Sequence, residues 1–156
     1  MEKEEILKGN WINGEDLITT RDSLFRISPI KMTRFFSYED KNPLEYDIFG
    51  NPIKYIEEEV SVTDDKGNIV FIQKDVRRPI SWSSLAIKVV ASKYFWGDIK
   101  KKNEREKSVE QLLGRVSRYI GRQALAQGYF DKEESQILQD EIASICVNQM
   151  ACFNSP

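Results

Sequence analysis

Few residues in this sequence are of the types that do chemistry, and their spacing limits what they can do. Cys146 and Cys152 stand six apart near the end of the chain. Two cysteines are too few for a disulfide framework, and both fall in what reads as one helix and its exit, so free thiols are the simplest reading. Histidine is absent, which removes the usual zinc sites and the usual general base at neutral pH. The acidic run Glu57-Glu58-Glu59 has oxygen ligands for a cation, but a solvated strand end is the plainer reading. Lys100-Lys101-Lys102 could touch phosphate, yet the acids interleaved in Asn103-Glu104-Arg105-Glu106-Lys107 favour a solvated loop. No Gly-rich phosphate loop, metal-spaced cysteine pair or nucleophile beside a base is visible. Residue types alone give no complete active site.

The totals set the class of molecule that must hold these residues. At 156 residues the chain has the size of one domain, and a domain of that length buries roughly 70% of its unfolded surface. Apolar residues make up 40% and charged residues 31%, too hydrophobic for a disordered chain and too charged for a membrane protein. Basic and acidic residues, 23 against 25, are mixed along the sequence. No field of one sign is therefore available to capture nucleic acid or an anionic membrane. The start, Met1-Glu2-Lys3-Glu4-Glu5, is acidic, and neither a signal-peptide core nor a membrane span follows. The expected location is the cytoplasm.

Residues 1–40 read as an extended N-terminal arm broken by Gly9, Asn13-Gly14 and Pro29. Period-two alternation through Val60 and Val62, a turn at Asp64-Asp65-Lys66-Gly67-Asn68, and the run Ile69-Val70-Phe71-Ile72 predict a β-hairpin over about 55–76. An isolated hairpin is marginal in water, so this one needs a surface to lie on. Helical spacing predicts three helices, over about 82–96, 108–127 and 131–151. The first leaves only a narrow polar stripe, Ser81, Ser84, Lys88 and Ser92, and so must be covered on most of its circumference. Exposing four of its large side chains would forfeit about 6–12 kcal/mol, either to be recovered on the other helices or on a partner. The second helix opens on the capping box Ser108 and Gln111 and carries a stripe from Val109 to Ala124. Gly114, Ser117 and Gly121 lie near one another on it, marking either a close neighbour or a tolerated cost of about 1 kcal/mol per glycine. In the third, Asp131 and Glu134 give the start signal, and Ile137, Leu138, Ile142, Ile145, Cys146 and Met150 mark the buried face.

That third helix runs into Gln149-Met150-Ala151-Cys152-Phe153-Asn154-Ser155-Pro156. Proline disfavours helix in the residue before it, so Ser155 is expected to be extended, on the way into a strand. With no strand following, the sequence reads as cut at the doorway of another domain.

The order of these motifs resembles the N-terminal region of bacterial class II ribonucleotide reductases, the adenosylcobalamin-dependent enzymes. The likeness begins at Arg34-Phe35-Phe36 and continues through Phe71-Ile72-Gln73-Lys74-Asp75-Val76 and Pro79-Ile80-Ser81-Trp82-Ser83. It is strongest in Val89-Val90-Ala91-Ser92-Lys93-Tyr94-Phe95-Trp96-Gly97, in the run from Glu106 to Val116, and in Gly128-Tyr129-Phe130, and it closes at Pro156. The resemblance implies an α+β segment, with residues 41–156 as the family's N-terminal domain leading into a ten-stranded α/β barrel that begins near the Asn-Ser-Pro run.

It further implies reduction of ribonucleotides, as ribonucleoside diphosphates, to deoxyribonucleotides for DNA synthesis by a radical route. Adenosylcobalamin would be bound mainly by the barrel, and the catalytic cysteines would lie beyond residue 156. Deoxynucleoside triphosphate effectors, a thioredoxin-type reductant and a homodimer are the implied partners, without nucleic acid or membrane. Ser155 matches a position that contacts bound substrate in this superfamily, through its hydroxyl and amide to phosphate. No catalytic or metal-binding residue carries over. Cys152 falls where the family more often has serine, and Asn148 where histidine is common, so Cys152 is expected to be a buried free thiol rather than the radical cysteine. Lys93 and Tyr94 are explained equally well as an amphipathic lysine and a packed tyrosine. Two other readings remain: a separately encoded subunit of a split reductase, and a free-standing helical adaptor without catalysis.

Overall fold

Asp64 turns the chain back on itself. In the computed structural model, which describes residues 30–101 and 104–153, its carboxylate accepts from the Lys66 amide (2.9 Å), the Asn68 amide (2.8 Å) and the Asn68 side chain (3.0 Å). Gly67 takes φ +83° there, a conformation cheap only without a Cβ. The strands so joined are β1 (Tyr55–Thr63) and β2 (Ile69–Pro79), an antiparallel pair with Tyr55 opposite Pro79 and Thr63 opposite Ile69. The same Asp-x-x-Gly-Asn turn occurs upstream. Asp47 accepts from the Phe49 and Asn51 amides at 2.9 and 2.8 Å, and the bridge between Tyr46 and Pro52 closes the loop.

The sequence reading ends the second strand at residue 76, but it continues to Pro79. The extra residues are held from two sides: Arg78 pairs with Ile56, while the Arg77 amide donates to the Lys107 carbonyl at 2.8 Å. Within β2 the register shifts between Gln73 and Val76. Asp75, at φ +56°, absorbs the extra residue as a bulge.

Three helices follow, α1 (Ser84–Lys93), α2 (Val109–Ala126) and α3 (Lys132–Val147). Their starts obey the expected chemistry, since Ser83, Ser108 and Asp131 cap them by accepting from the amides of Ala86, Gln111 and Glu134. Gln111 does reach back, although to the amide of Lys107 (2.6 Å), one residue before the cap. The ends differ more. Expected over 82–96, α1 is shorter because Trp82 precedes its cap and Tyr94 closes it. Expected to run to 151, α3 stops at Asn148, where Gln149 adopts φ +56°. The amides of Gln149 and Met150 then bond back to Cys146 and Ile145, a Schellman ending with glutamine in the glycine position.

The core gathers Val60 and Val76 from the hairpin, Trp82, Ile87, Ala91 and Phe95 from α1 and its flanks, Val109, Leu112 and Leu113 from α2, and Cys146 and Val147 from α3. The hairpin thus has its surface. A tie across this core runs from the Trp82 indole N–H to the Val147 carbonyl, 2.8 Å. The small residues of α2 divide. A Cβ on Gly121 would fall 2.3 Å from Gln139 of α3, and Ser135 donates to the Gly121 carbonyl at 2.8 Å; this is the close neighbour anticipated. At Gly114 the nearest group is instead the guanidinium of Arg118, on the same helix.

The α3 face is the expected one only in part: Cys146 is buried in the core and Ile142 and Ile145 pack against it, but the rest differs. Ile137, Leu138, Ile142 and Ile145 are half-buried and Met150 is exposed, whereas Glu134, Ser135, Glu141 and Ser144 are buried. Ser135 faces α2, and residues 30–37 cover Glu134, Glu141 and Ser144. Glu134 accepts from the Met32 amide and pairs with Lys31 at 3.0 Å. Glu141 accepts from the Ser37 amide and hydroxyl at 2.9 and 2.7 Å, and Arg34 pairs with Asp140 at 2.7 Å. This part of the arm is a strap tied to α3 by carboxylates; residues 1–29 lie outside the described residues.

Candidate functional site

The sequence-level candidates are not brought together. Ser155 lies outside the described residues. Cys146 is buried and Cys152 exposed, both as free thiols, so the expectation of a buried Cys152 is reversed. The Schellman ending turns the backbone out of the helix before Cys152 is reached, and the thiol gains no cover. Burial, with a smaller contribution from Cys152, pushes the Cys146 thiol pKa up, which makes it less reactive. In the acidic run, Glu58 is taken by Arg78 and Glu59 by Lys74 at 3.9 Å. Among the described residues no group of three or more acidic, cysteine or histidine side chains is placed to hold a metal ion. Lys101 pairs with Glu104 at 3.3 Å, and Lys93 and Tyr94 are exposed.

What the fold does assemble is a polar junction between α1 and α2. Arg105 donates to the carbonyls of Gly97 (2.8 Å) and Ala91 (2.6 Å) and to the Gln73 side chain (3.0 Å), fastening the α1–α2 connection to α1 and the hairpin. Glu106 follows. Its amide donates to the Trp96 carbonyl and its carboxylate accepts from the Trp96 amide, both at 2.8 Å. The same carboxylate takes a fork from Arg115 at 2.7 and 3.1 Å, and Arg115 also reaches the Tyr94 carbonyl at 3.2 Å. Beside this lies an open groove of about 380 Å³ lined by Glu106, Gln111, Arg115, Arg118, Tyr119 and Arg122. Apolar side chains on α1 and just past its end are uncovered: Leu85 is 72% exposed, Val89 45% and Trp96 55%. The expectation that this helix is covered on most of its circumference is not met among the described residues, because only the side carrying Ile87 and Ala91 meets the core.

A family model for the N-terminal region of class II vitamin B12-dependent ribonucleotide reductase matches residues 56–149. The chain belongs to that family. The match runs from the second residue of β1 to just past the end of α3, so it takes in nearly all of both strands and all three helices. Named relatives agree. A vitamin B12-dependent ribonucleotide reductase of Rhodopirellula baltica is 45% identical over 97 residues, covering 62% of this chain and 9% of the relative. Those of Streptomyces coelicolor and Streptomyces avermitilis are each 33% identical over 91 residues, 58% of this chain and 9% of theirs. The chain therefore spans about a tenth of the length of the relatives it matches.

The family's name implies a cobalamin, and the described residues do not fit one. The groove on α2 has charged walls, a second of about 340 Å³ is lined mainly by lysines, Arg105 and Asp75, and the chain has no histidine. Neither offers the broad apolar faces that a corrin macrocycle needs. No described helix is long and apolar enough to cross a membrane.

Proposed function

We propose that this chain is the N-terminal part of an adenosylcobalamin-dependent ribonucleotide reductase, and that its role is to seat the catalytic barrel rather than to do chemistry. The reading is carried by the family match over residues 56–149, and the uncovered side of α1 supplies a surface for the barrel. Cofactor, thioredoxin-type reductant, deoxynucleotide effectors and the diphosphate substrate would then be matters for the whole enzyme and its homodimer. The catalytic cysteines would lie beyond residue 156. Cys146 and Cys152 play no radical role in this reading, the first being unreactive and the second standing at a position of the family's serine. Ser155 would be the first residue to approach substrate.

The test is a graft. Residues 56–149 replace the corresponding stretch of the Rhodopirellula baltica reductase, and reduction of CDP is measured with adenosylcobalamin and a dithiol. The expected result is activity comparable to the parent, and a loss of about tenfold or more when Leu85 and Val89 are both changed to Asp. An inactive graft that folds would sink the proposal. The chain alone is expected to give no turnover above a no-protein control. Activity appearing only when it is mixed with a separately encoded barrel would identify it as the subunit of a split reductase. A folded monomer indifferent to any barrel would identify an adaptor.

A further inference from the structure

We propose that Trp82 is a positioning residue: its indole clamps the last turn of α3, so that the chain leaves the helix in one fixed direction, toward Ser155. This rests on the role proposed for Ser155, that of the first residue to approach substrate.

An α-helix ends with four carbonyls that have no partner within it. In α3 they belong to Ile145, Cys146, Val147 and Asn148. The turn that follows serves two of them, Met150 donating to Ile145 at 2.9 Å and Gln149 to Cys146 at 3.1 Å. A Schellman ending supplies no more than these. The Val147 carbonyl is left over in a residue only 1% exposed, and a buried carbonyl demands a donor. The Trp82 indole N–H is that donor, at 2.8 Å.

Trp82 is itself held. It is buried in the core, and its carbonyl accepts from the Arg78 guanidinium, which also pairs with Glu58. One polar line therefore runs from both strands of the hairpin, through Trp82, to the end of α3. A rigid indole at the end of that line fixes the carbonyl in place, which a flexible donor such as lysine would not. The strap adds a second tie. Ser144 donates to the Phe36 carbonyl, and the Asn148 side chain donates back to the Ser144 carbonyl at 2.8 Å.

The backbone just past this clamp is one that needs holding. Gln149 takes φ +56° without the freedom of glycine, and such a conformation persists only where the surroundings impose it. Beyond it Cys152 and Phe153 are exposed, so their side chains meet no core that could steer the chain. Its direction is set at the helix end. A contact from Ser155 to a phosphate of the substrate is remote from the reacting bonds, and losing such uniform binding raises KM with kcat unchanged.

The test uses Trp82→Phe, which keeps an aromatic ring in the core and removes the N–H. In the grafted reductase, KM for CDP should rise about threefold to tenfold with kcat little changed. Asn148→Ala should raise it in the same direction by a smaller factor. Ile87→Val, which loosens the same core without touching the exit, should lower the melting temperature and leave KM as it was. In the 156-residue chain, the Trp82 indole proton and the Met150 amide should exchange with solvent only at the slow rate of core opening. Trp82→Phe should speed exchange at Gln149 and Met150 while the amides of α2 stay protected. An active graft whose KM is unmoved by Trp82→Phe and Asn148→Ala, or raised equally by Ile87→Val, overturns the positioning role. Fast exchange of the indole proton in the wild-type chain, or an exit unaffected by Trp82→Phe, overturns the clamp whatever the graft does. A graft inactive with Trp82 in place counts instead against the chain as part of a reductase, and the exchange rates then decide the clamp on their own.

Discussion

Glu110 is held in a way that its charge resists. Its Oε1 pairs with Arg77 at 2.7 Å, but its buried Oε2 has no partner, and burial raises its carboxyl pKa above the ordinary 4.5 despite Arg77. A carboxyl raised on folding favours the protonated native state. Its contribution to stability is therefore full below pH 4.5 and is lost as pH rises through the folded value. Glu110→Gln should leave the melting temperature at pH 7 unchanged or higher and flatten this part of the pH profile; a marked drop at pH 7 would mean that the ion pair outweighs the burial. The thiols give a second prediction at this scale. A thiol reagent should modify Cys152 rapidly in the native chain and Cys146 only at the rate of opening, so that native C152S is nearly silent while native C146S labels as fast as wild type. Much at this scale was legible. Ser108 and Asp131 announce themselves as caps because their partners are three residues away. Glu134 reads in the sequence only as part of a helix start signal and Glu141 not at all, since the amides they bind come from Met32, Phe36 and Ser37, about a hundred residues earlier.

Elements were recovered in type and order, and their ends moved wherever tertiary contacts decided them. The apolar run Tyr94-Phe95-Trp96 continues the periodicity of α1, yet the helix stops before it because Gly97, at φ +102°, must bring the backbone against Glu104. A Cβ on Gly97 would fall 2.2 Å from the Glu104 carbonyl oxygen. Gly97→Ala therefore combines a left-handed backbone with a backbone clash, and should cost about 1–3 kcal/mol or more. It should also loosen the connection that presents Arg105 and Glu106. Chemical denaturation of the variant, with faster exchange of the Trp96 and Glu106 amides, would check both effects. An unchanged midpoint would show that this loop moves aside freely. Glycine before a charged run reads only as a helix stop; nothing in the sequence spacing says that the chain crosses over itself there.

At the scale of the molecule, the average charge concealed the groove and the average hydropathy concealed the uncovered side of α1. A net charge of -2 is compatible with three arginines along one helical side, since Glu106 pairs with one of them and four further acids lie on or beside α3, where the strap from Lys31 to Ser37 uses them. The apolar periodicity of α1 was read correctly as a demand for cover, but one sheet of two strands can satisfy only one side of a helix. Leu85 and Val89, one turn apart and both exposed, are left to meet something else. Each such side chain is worth about 1.5–3 kcal/mol when taken out of water, enough to drive weak association of the chain with itself at high concentration. Sedimentation of the wild-type chain should accordingly show concentration-dependent self-association. Changing Leu85 and Val89 to Lys should abolish it while leaving the melting temperature within a few degrees, because neither side chain contributes to the core. Loss of folding in that variant would place these residues inside the domain after all, and the surface for a barrel would have to be sought elsewhere on the molecule.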